Sequence, residues 1–172
     1  KRVDFLISGY GKKEDANVVL IELKQWDELE AIPGRDGLVQ TYTGNAVRQV
    51  VHPSYQAWSY AMLIRDYNAS VQEGMVSIFP CAYLHNYRRH SQDPLDAEQY
   101  ETYLEDAPAF TRGEVTKLRD FIKKSIRTGD NKELIYKIDS GRIKPSKSLQ
   151  DSIAKMLKGN REFIMLDEQK VV

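Results

Sequence analysis

The sequence predicts a domain of the mixed α/β (α+β) class, built on a mixed sheet that is flanked by helices. Short apolar runs rich in β-branched residues alternate with segments whose apolar residues recur at helical spacing. The chain has 172 residues, of which 41% are hydrophobic and 29% are charged, as expected for a globular protein with its own core. No apolar stretch approaches the roughly 20 residues that cross a bilayer. One cysteine, Cys81, excludes an internal disulfide framework, so we expect a cytoplasmic protein without a membrane partner.

Three strands are predicted in the first half of the chain. Residues 3–8 and 18–23 are apolar, and the polar, glycine-containing segment 9–17 between them predicts a hairpin connection. Residues 75–84 form a third apolar run, in which Pro80 indicates an edge position or a bulge. Further elements are expected as a small hairpin of residues 38–42 and 46–51 and as a last strand at 162–166.

Helical segments follow from apolar spacing and from capping residues. Pro53 suits the first turn of a helix, and Gly129 lies just past the end of an amphipathic segment. We divide the chain into a core, residues 1–110, and a helical extension, residues 111–172. The predicted helices span 53–71, 100–104, 111–127 and a segment that begins at a Ser146 or Ser148 cap and ends at Leu157.

The charge is unevenly distributed along the chain. Residues 1–110 hold 10 basic and 16 acidic residues, a net charge of −6, whereas residues 111–172 hold 15 and 9, a net charge of +6. A basic C-terminal part could meet a phosphate backbone, or it could simply decorate exposed helix faces. Because the chain opens inside a predicted strand and ends near another apolar run, we expect further sequence on both sides.

Three ionisable residues occur in or beside the first two predicted strands, where charge is unfavourable. Asp4 lies in the first strand, and Glu22 and Lys24 lie at the end of the second. Residues two apart on a strand point to the same side, so Glu22 and Lys24 should project together. If the two strands pair as a hairpin, Asp4 can approach Glu22. A buried charge needs a partner or a metal ion, so these three residues are candidates for a site.

Two carboxylates and a lysine suit phosphodiester hydrolysis. Asp4 and Glu22 could hold Mg²⁺ or Mn²⁺, which take oxygen ligands and keep several waters. Such an ion polarises a phosphoryl group and lowers the pKa of bound water. Lys24 would position that water or neutralise developing charge. The alternative is a plain ion-pair network at a strand end, and the E-x-K spacing alone does not decide between them.

The pattern Asp4…Glu22-x-Lys24 resembles the signature of the PD-(D/E)xK nuclease superfamily. Farther along, Gln56-Ala57-Trp58-Ser59-Tyr60 resembles the Q-x-x-x-Y helix motif of its RecB-like branch. Gln56 and Tyr60 would share one helix face. The resemblance implies catalytic roles for Asp4, Glu22, Lys24 and Gln56, with Tyr60 on the substrate side. It also implies a restriction-endonuclease-like core whose first helix and strand would precede Lys1.

A longer resemblance covers most of the chain. The segments RVDFLISGY, VVLIELKQW, HPSYQAWSYA, PCAYLHNY and PSKSLQDSIAKMLKGN, together with EFIMLDEQKVV, are similar to the nuclease segment of Schlafen-group-3-like DNA/RNA nuclease–helicases. Much of that family is described as a domain of unknown function, and some members are implicated in phage defence. The resemblance implies a covalently linked P-loop helicase, but this chain has no G-x-x-x-x-G-K-[ST] and therefore no predicted ATP site.

Further candidate substrate contacts are His52, Arg88 and Arg89. His52 stands at a predicted helix start, where it could touch substrate or serve a structural purpose. Tyr87 precedes the two arginines and could stack on a base while they contact phosphates. A solvated loop is the competing interpretation of that segment.

These observations predict a Mg²⁺-dependent nuclease domain acting on nucleic acid, with DNA expected rather than RNA. The alternative is an inactive nuclease fold that binds nucleic acid or docks an adjacent helicase motor. The oligomeric state is not predicted by any pattern in the sequence.

Overall fold

A computed structural model describes residues 3–157 of the chain. Among these residues, no helix is both long enough and apolar enough to cross a membrane. The strands are β1 (Phe5–Tyr10), β2 (Ala16–Lys24), β3 (Glu30–Ala31), β4 (Leu38–Thr43), β5 (Ala46–Val51), β6 (Ser77–Leu84) and β7 (Ala109–Thr111), and the α-helices are α1 (Pro53–Tyr67), α2 (Ala69–Gln72), α3 (Glu101–Asp106), α4 (Val115–Ser125), α5 (Glu133–Asp139) and α6 (Lys147–Leu157).

The main sheet has the strand order β1-β2-β6-β7 and is mixed. The β1–β2 pair is antiparallel, with Phe5 opposite Ile21, as the hairpin prediction required. β6 and β7 add in parallel, because helices carry the chain back before each of them. Pro80 of β6 precedes the part that β7 covers, which begins at Ala82, so the predicted edge position is confirmed locally.

Alternation along β2 divides its side chains between two helical layers. Val18 and Leu20 pack in the cluster that contains Ala57 and Ala61 of α1. Val19 and Ile21 face the other way, towards Leu118, Phe121 and Ile122 of α4. A strand with an almost continuous apolar run is therefore buried on both faces, and the predicted α+β class with a mixed sheet flanked by helices is confirmed.

A second sheet, β3-β4-β5, leads the chain into α1. The predicted hairpin is confirmed: β4 and β5 pair through a two-residue turn at Gly44 and Asn45, both with positive φ (57° and 62°). This is the left-handed geometry that two-residue hairpins prefer. α1 starts at Pro53 directly after β5, and it is shorter than predicted because Asn68 interrupts it and caps α2 through Ser70 N (3.0 Å).

The C-terminal part holds two elements that the sequence analysis missed, β7 and α5. The predicted helix at 111–127 begins only at Val115, because residues 109–111 pair with β6. The predicted boundary between a core of residues 1–110 and an extension of residues 111–172 would therefore cut through β7. Leu134 of α5 is buried in the same cluster as Val18, so the helical part packs onto the sheet.

The helix predicted from Ser146 or Ser148 is confirmed as α6. Ser146 supplies the cap, since its Oγ accepts from Leu149 N at 3.1 Å. The strand predicted at 162–166 lies outside the described residues.

Candidate active site

Glu22 and Lys24 lie at the C-terminal end of β2, and both side chains point to the side that faces α1. Glu22 is 1% exposed and the Lys24 side chain is 15% exposed, whereas Leu23 points to the opposite side and is 42% exposed. The strand places the two charged residues on one side because they are two positions apart. The predicted common orientation is therefore present.

A chain of hydrogen bonds joins these residues to α1. Lys24 Nζ lies 2.5 Å from Glu22 Oε1 and 3.0 Å from Gln56 Oε1. Gln56 Nε2 in turn donates to the Tyr60 hydroxyl at 3.0 Å. Gln56 and Tyr60 are one helical turn apart, which puts both side chains on the same face of α1. The sequence motif at 56–60 is thus brought to the end of β2.

Asp4 also lies beside this group, although not in the way that the sequence suggested. It precedes β1, which begins at Phe5, and its side chain is exposed. The expectation that Asp4 sits inside the strand was wrong, because pairing with β2 starts one residue later. Its Oδ2 accepts from Leu23 N at 3.0 Å, so the carboxylate is held next to Glu22.

The pKa of the Glu22 carboxyl is raised above its usual range. Burial is the main cause, because a low-dielectric environment disfavours the charged form, and the neighbouring Asp4 carboxylate adds to the rise. The Lys24 ammonium opposes it through a hydrogen bond and its charge. Glu22 Oε2 is buried and has no hydrogen-bond partner among the residues that the structure describes. One oxygen of the Glu22 carboxylate is therefore paired with Lys24, and the same carboxylate lies beside that of Asp4.

A divalent cation fits this donor set in part. Asp4 and Glu22 supply carboxylate oxygens, which Mg²⁺ and Mn²⁺ prefer, and Mg²⁺ commonly binds through one or two carboxylates with water in the remaining positions. Within residues 3–157, no group of three or more His, Cys, Asp and Glu side chains is close enough to form a metal site. Two carboxylates are therefore what the described part of the chain offers, and the orphaned Glu22 Oε2 is the atom best suited to a cation.

The prediction that His52 contacts substrate requires correction. His52 is 0% exposed and caps α1, with Nδ1 accepting from Ser54 N at 3.1 Å. Its Nε2 lies 3.0 Å from the Leu95 carbonyl, and a carbonyl can only accept, so Nε2 carries the proton. Burial lowers the pKa of His52 from 6.5 to about 4. Both ring nitrogens are in use, and the residue is structural.

Arg89 is likewise a structural residue. Its guanidinium pairs with Asp96, donates to the Ala109 carbonyl at 2.8 Å, and places Nε 3.4 Å from Glu114 Oε2. These contacts tie the loop after β6 to β7 and to the start of α4. The proposed phosphate contact through Arg89 is therefore wrong for this structure, because its charge is already neutralised.

The neighbours of Arg89 differ from each other. Tyr87 is buried, and its hydroxyl donates to Asp93 at 2.8 Å, so it cannot stack on a base as suggested. Arg88 is exposed, and its contact with substrate stays a prediction. Cys81 is buried, and burial raises the pKa of its thiol to about 12, in agreement with the expected packing role.

Three further residues lie near the site, and of these Trp26 was not singled out from the sequence. Lys24 Nζ lies 5.4 Å from the centre of the Trp26 ring, within reach of a cation–π interaction. His85 follows β6, donates its backbone N–H to the Lys24 carbonyl at 3.2 Å, and exposes its side chain. Asn86 donates to the Gln25 carbonyl at 2.8 Å. Trp26 continues the two-residue alternation of Glu22 and Lys24, and this was the available signal.

Comparison with models of protein families, with curated proteins and with solved structures finds no match to this chain.

Proposed function

We propose that the chain is a nuclease domain of the PD-(D/E)xK type that hydrolyses phosphodiester bonds in nucleic acid with Mg²⁺ or Mn²⁺, with DNA as the expected substrate. The observation that carries the proposal is the buried Glu22 carboxylate, which lies beside Asp4. One of its oxygens meets Lys24, and the other has no hydrogen-bond partner within the described part of the chain.

Two adjacent carboxylates favour the uptake of positive charge. Repulsion between Asp4 and Glu22 can be relieved by a proton or by a cation, and burial of Glu22 strengthens either interaction. A plain structural ion pair would be complete with Lys24, and Asp4 would then have no reason to be held there. The Leu23 N–H holds it there nevertheless, at 3.0 Å. A divalent ion bound at this pair would polarise a phosphoryl oxygen and lower the pKa of water.

Lys24 contributes a positive charge at a defined point. Its Nζ is fixed by Glu22 and by Gln56 Oε1, and its side chain is still 15% exposed. From this position the ammonium can hold a phosphate oxygen and stabilise charge that develops during hydrolysis. Gln56 orients Lys24, and Tyr60 orients Gln56 through the 3.0 Å hydrogen bond. α1 thus keeps the charged end of β2 in one arrangement.

The order of elements around the site supports the same proposal. An acid just before β1, a β2 strand that ends in E-x-K, the α1 helix with Q-x-x-x-Y and the β6 strand, which is parallel to β2, follow one another in this order along the chain. The second sheet, β3 to β5, lies between β2 and α1, and the short helix α2 lies between α1 and β6. The further parts of the proposal, a linked P-loop helicase, a cytoplasmic location and a role in phage defence, rest on the resemblance of the sequence alone.

The decisive experiment is a cleavage assay on DNA and RNA, single- and double-stranded, with Mg²⁺, with Mn²⁺ and with EDTA. We expect cleavage that requires a divalent ion and that Glu22→Gln abolishes, because the amide cannot replace a charged ligand. Glu28→Gln, an exposed acid outside the group, is the matched control and should cleave as the wild type does.

The outcomes separate the alternatives. Metal-dependent binding of nucleic acid without cleavage would replace the enzyme by a binding module. Equal cleavage by a contaminant-free Glu22→Gln protein would refute the assignment. Absence of any calorimetric signal for Mn²⁺, with no difference between the wild type and Glu22→Gln, would leave only the ion-pair interpretation.

A further inference from the structure

Within residues 3–157, no strand pairs with the outer edge of β5. β5 is an end strand of the second sheet, and five of its six residues are exposed. Natural edge strands are usually blocked by Lys, Pro, a bulge or a covering segment. The residues AVRQVV contain one charge, Arg48, and its guanidinium turns back to the Gly44 carbonyl of the same hairpin (3.4 Å). The backbone along this edge is therefore accessible.

The hairpin geometry determines which backbone groups point outward. His52 N donates to Gly37 O at 2.7 Å, so these two residues form a hydrogen-bonded pair that continues the β4–β5 register. Hydrogen-bonded and non-hydrogen-bonded pairs alternate along an antiparallel ladder. Counting back from His52, every second residue of β5 bonds to β4, and the others direct N–H and C=O away from the sheet. These outward residues are Val47, Gln49 and Val51.

We propose that a second copy of this chain adds antiparallel along β5, with the two-fold axis at Gln49. Outward residues must face outward residues, so Gln49 faces Gln49 of the second copy and Val47 faces Val51. These pairs supply about six backbone hydrogen bonds, two for each of the three facing pairs. The two three-stranded sheets become one continuous sheet. The surface is self-complementary, which a two-fold interface requires.

Charge disfavours the neighbouring register in which the two-fold axis lies at Arg48. With the axis at Gln49, Arg48 lies opposite Val50 of the second copy. A shift that moved the axis to Arg48 would place two arginines directly opposite each other, and like charges in that position destabilise a strand pair. The chosen arrangement also covers exposed apolar surface, because Val47 is 63% exposed and Val51 is 38% exposed. Exposed Tyr42 lies opposite Val47 on the same face of the hairpin, so it extends this apolar strip.

A disulfide experiment tests both the partner and the register. The chain has one cysteine, Cys81, which is fully buried, so an added cysteine reports without interference. Facing hydrogen-bonded residues have Cα atoms about 5.5 Å apart, within the range of a disulfide. Gln49→Cys should therefore form a covalent dimer under mild oxidation. Val47→Cys is the matched control: the two Val47 positions would be about 14 Å apart, four residues along the strand, and should not cross-link.

The oligomeric state is measured in parallel by sedimentation over a range of concentrations. The wild type and Gln49→Ala, which keeps the N–H, should approach twice the monomer mass. Gln49→Pro should remain at the monomer mass, because proline removes an outward N–H that β4 does not use. A wild type that stays monomeric at every concentration, or a Val47→Cys protein that cross-links as readily as Gln49→Cys, would overturn the proposal.

Discussion

Two charged groups in this protein were marked by the sequence, and they differ in how completely their charges are satisfied. Among the described residues, Arg89 Nε and Glu22 Oε2 are both buried without a hydrogen-bond partner. Arg89 Nε nevertheless lies 3.4 Å from the opposite charge of Glu114, and Asp96 pairs with the same guanidinium. Glu22 Oε2 instead belongs to a carboxylate that lies beside a second carboxylate, that of Asp4. A count of charged residues in the sequence would not distinguish the two groups.

Under the proposed function, this difference separates a structural role of the Arg89 group from a functional role of the Glu22 group. In what we call a closed group, each charge lies beside an opposite charge. The closed group around Arg89 connects the loop after β6 to β7 and has no unbalanced charge for a ligand to neutralise. In an open group, such as Glu22 and Asp4, like charges lie side by side, and a bound ligand can relieve their repulsion. Such arrangements concentrate at functional sites. His52 belongs to the closed kind, since both of its ring nitrogens are bonded.

Lys24→Met should produce the largest effect if the β2 end is catalytic. Loss of a fixed positive charge beside the reacting phosphate should reduce cleavage by about 10³-fold, equivalent to about 4 kcal/mol of activation free energy. Single-turnover rates with saturating Mn²⁺ measure it. Lys13→Met removes an exposed lysine at the far end of the hairpin and should leave the rate unchanged. Comparable cleavage rates for both variants would show that the Lys24 charge does not act in cleavage, and the contrast with the Arg89 group would no longer hold.

His52→Asn should remove a pH dependence of stability. The folded-state pKa of His52, about 4, lies below its ordinary value of 6.5, so the unfolded chain binds more protons between these values. His52 therefore contributes stability that is complete above pH 6.5 and is lost as the pH falls towards 4, by about 3 kcal/mol. Asparagine can still cap α1 but does not titrate.

Urea unfolding of the wild type and of His52→Asn between pH 4 and 7 gives the measurement. The raised pKa of Glu22 acts in the opposite direction, since it favours the folded state at low pH, but it is common to both proteins and cancels in their difference. A difference in unfolding free energy that does not vary with pH would show that His52 is accessible to protons, contrary to its structural assignment.

Arg89→Met should destabilise the fold by about 2 kcal/mol without slowing cleavage. Asp96 and Glu114 would lose their common partner, and the loss is moderate because the Arg89 side chain is 28% exposed. Chemical unfolding measures stability, and cleavage is assayed where the variant remains folded. Arg88→Met, at the exposed neighbour, should have the reverse profile, with unchanged stability and weaker binding of nucleic acid. If the two variants changed stability and nucleic-acid binding in the same way, the assignment of Arg89 to the fold and of Arg88 to the substrate would be contradicted.

Tyr60→Phe should produce the smallest change. The variant removes the hydroxyl that accepts from Gln56 Nε2, so Gln56 and through it Lys24 become less well oriented. We expect cleavage to fall about threefold in kcat with KM unchanged, as for a positioning residue. Tyr67→Phe, at an exposed position of the same helix, is the control. A larger loss than that of Lys24→Met would reverse the assigned roles.

The sequence by itself determined the class of the fold and which side chains share a side within each strand or helix. Alternation in VVLIELK requires Glu22 and Lys24 to share a side, and helical spacing requires Gln56 and Tyr60 to share another. The hairpin turn at Gly44–Asn45 was readable because few residues adopt positive φ. These features depend on neighbours along the chain, so local patterns are sufficient.

Only the tertiary structure decided which of the marked charges are satisfied. Arg89 and His52 meet partners from distant segments, Glu114 and Leu95, and no local pattern encodes those contacts. β7 escaped detection because three residues become a strand only where β6 offers an edge. Exposure of Asp4 likewise depends on where pairing begins. The physical reason is the same in each case: solvation and hydrogen bonding of a side chain depend on what packs against it in space.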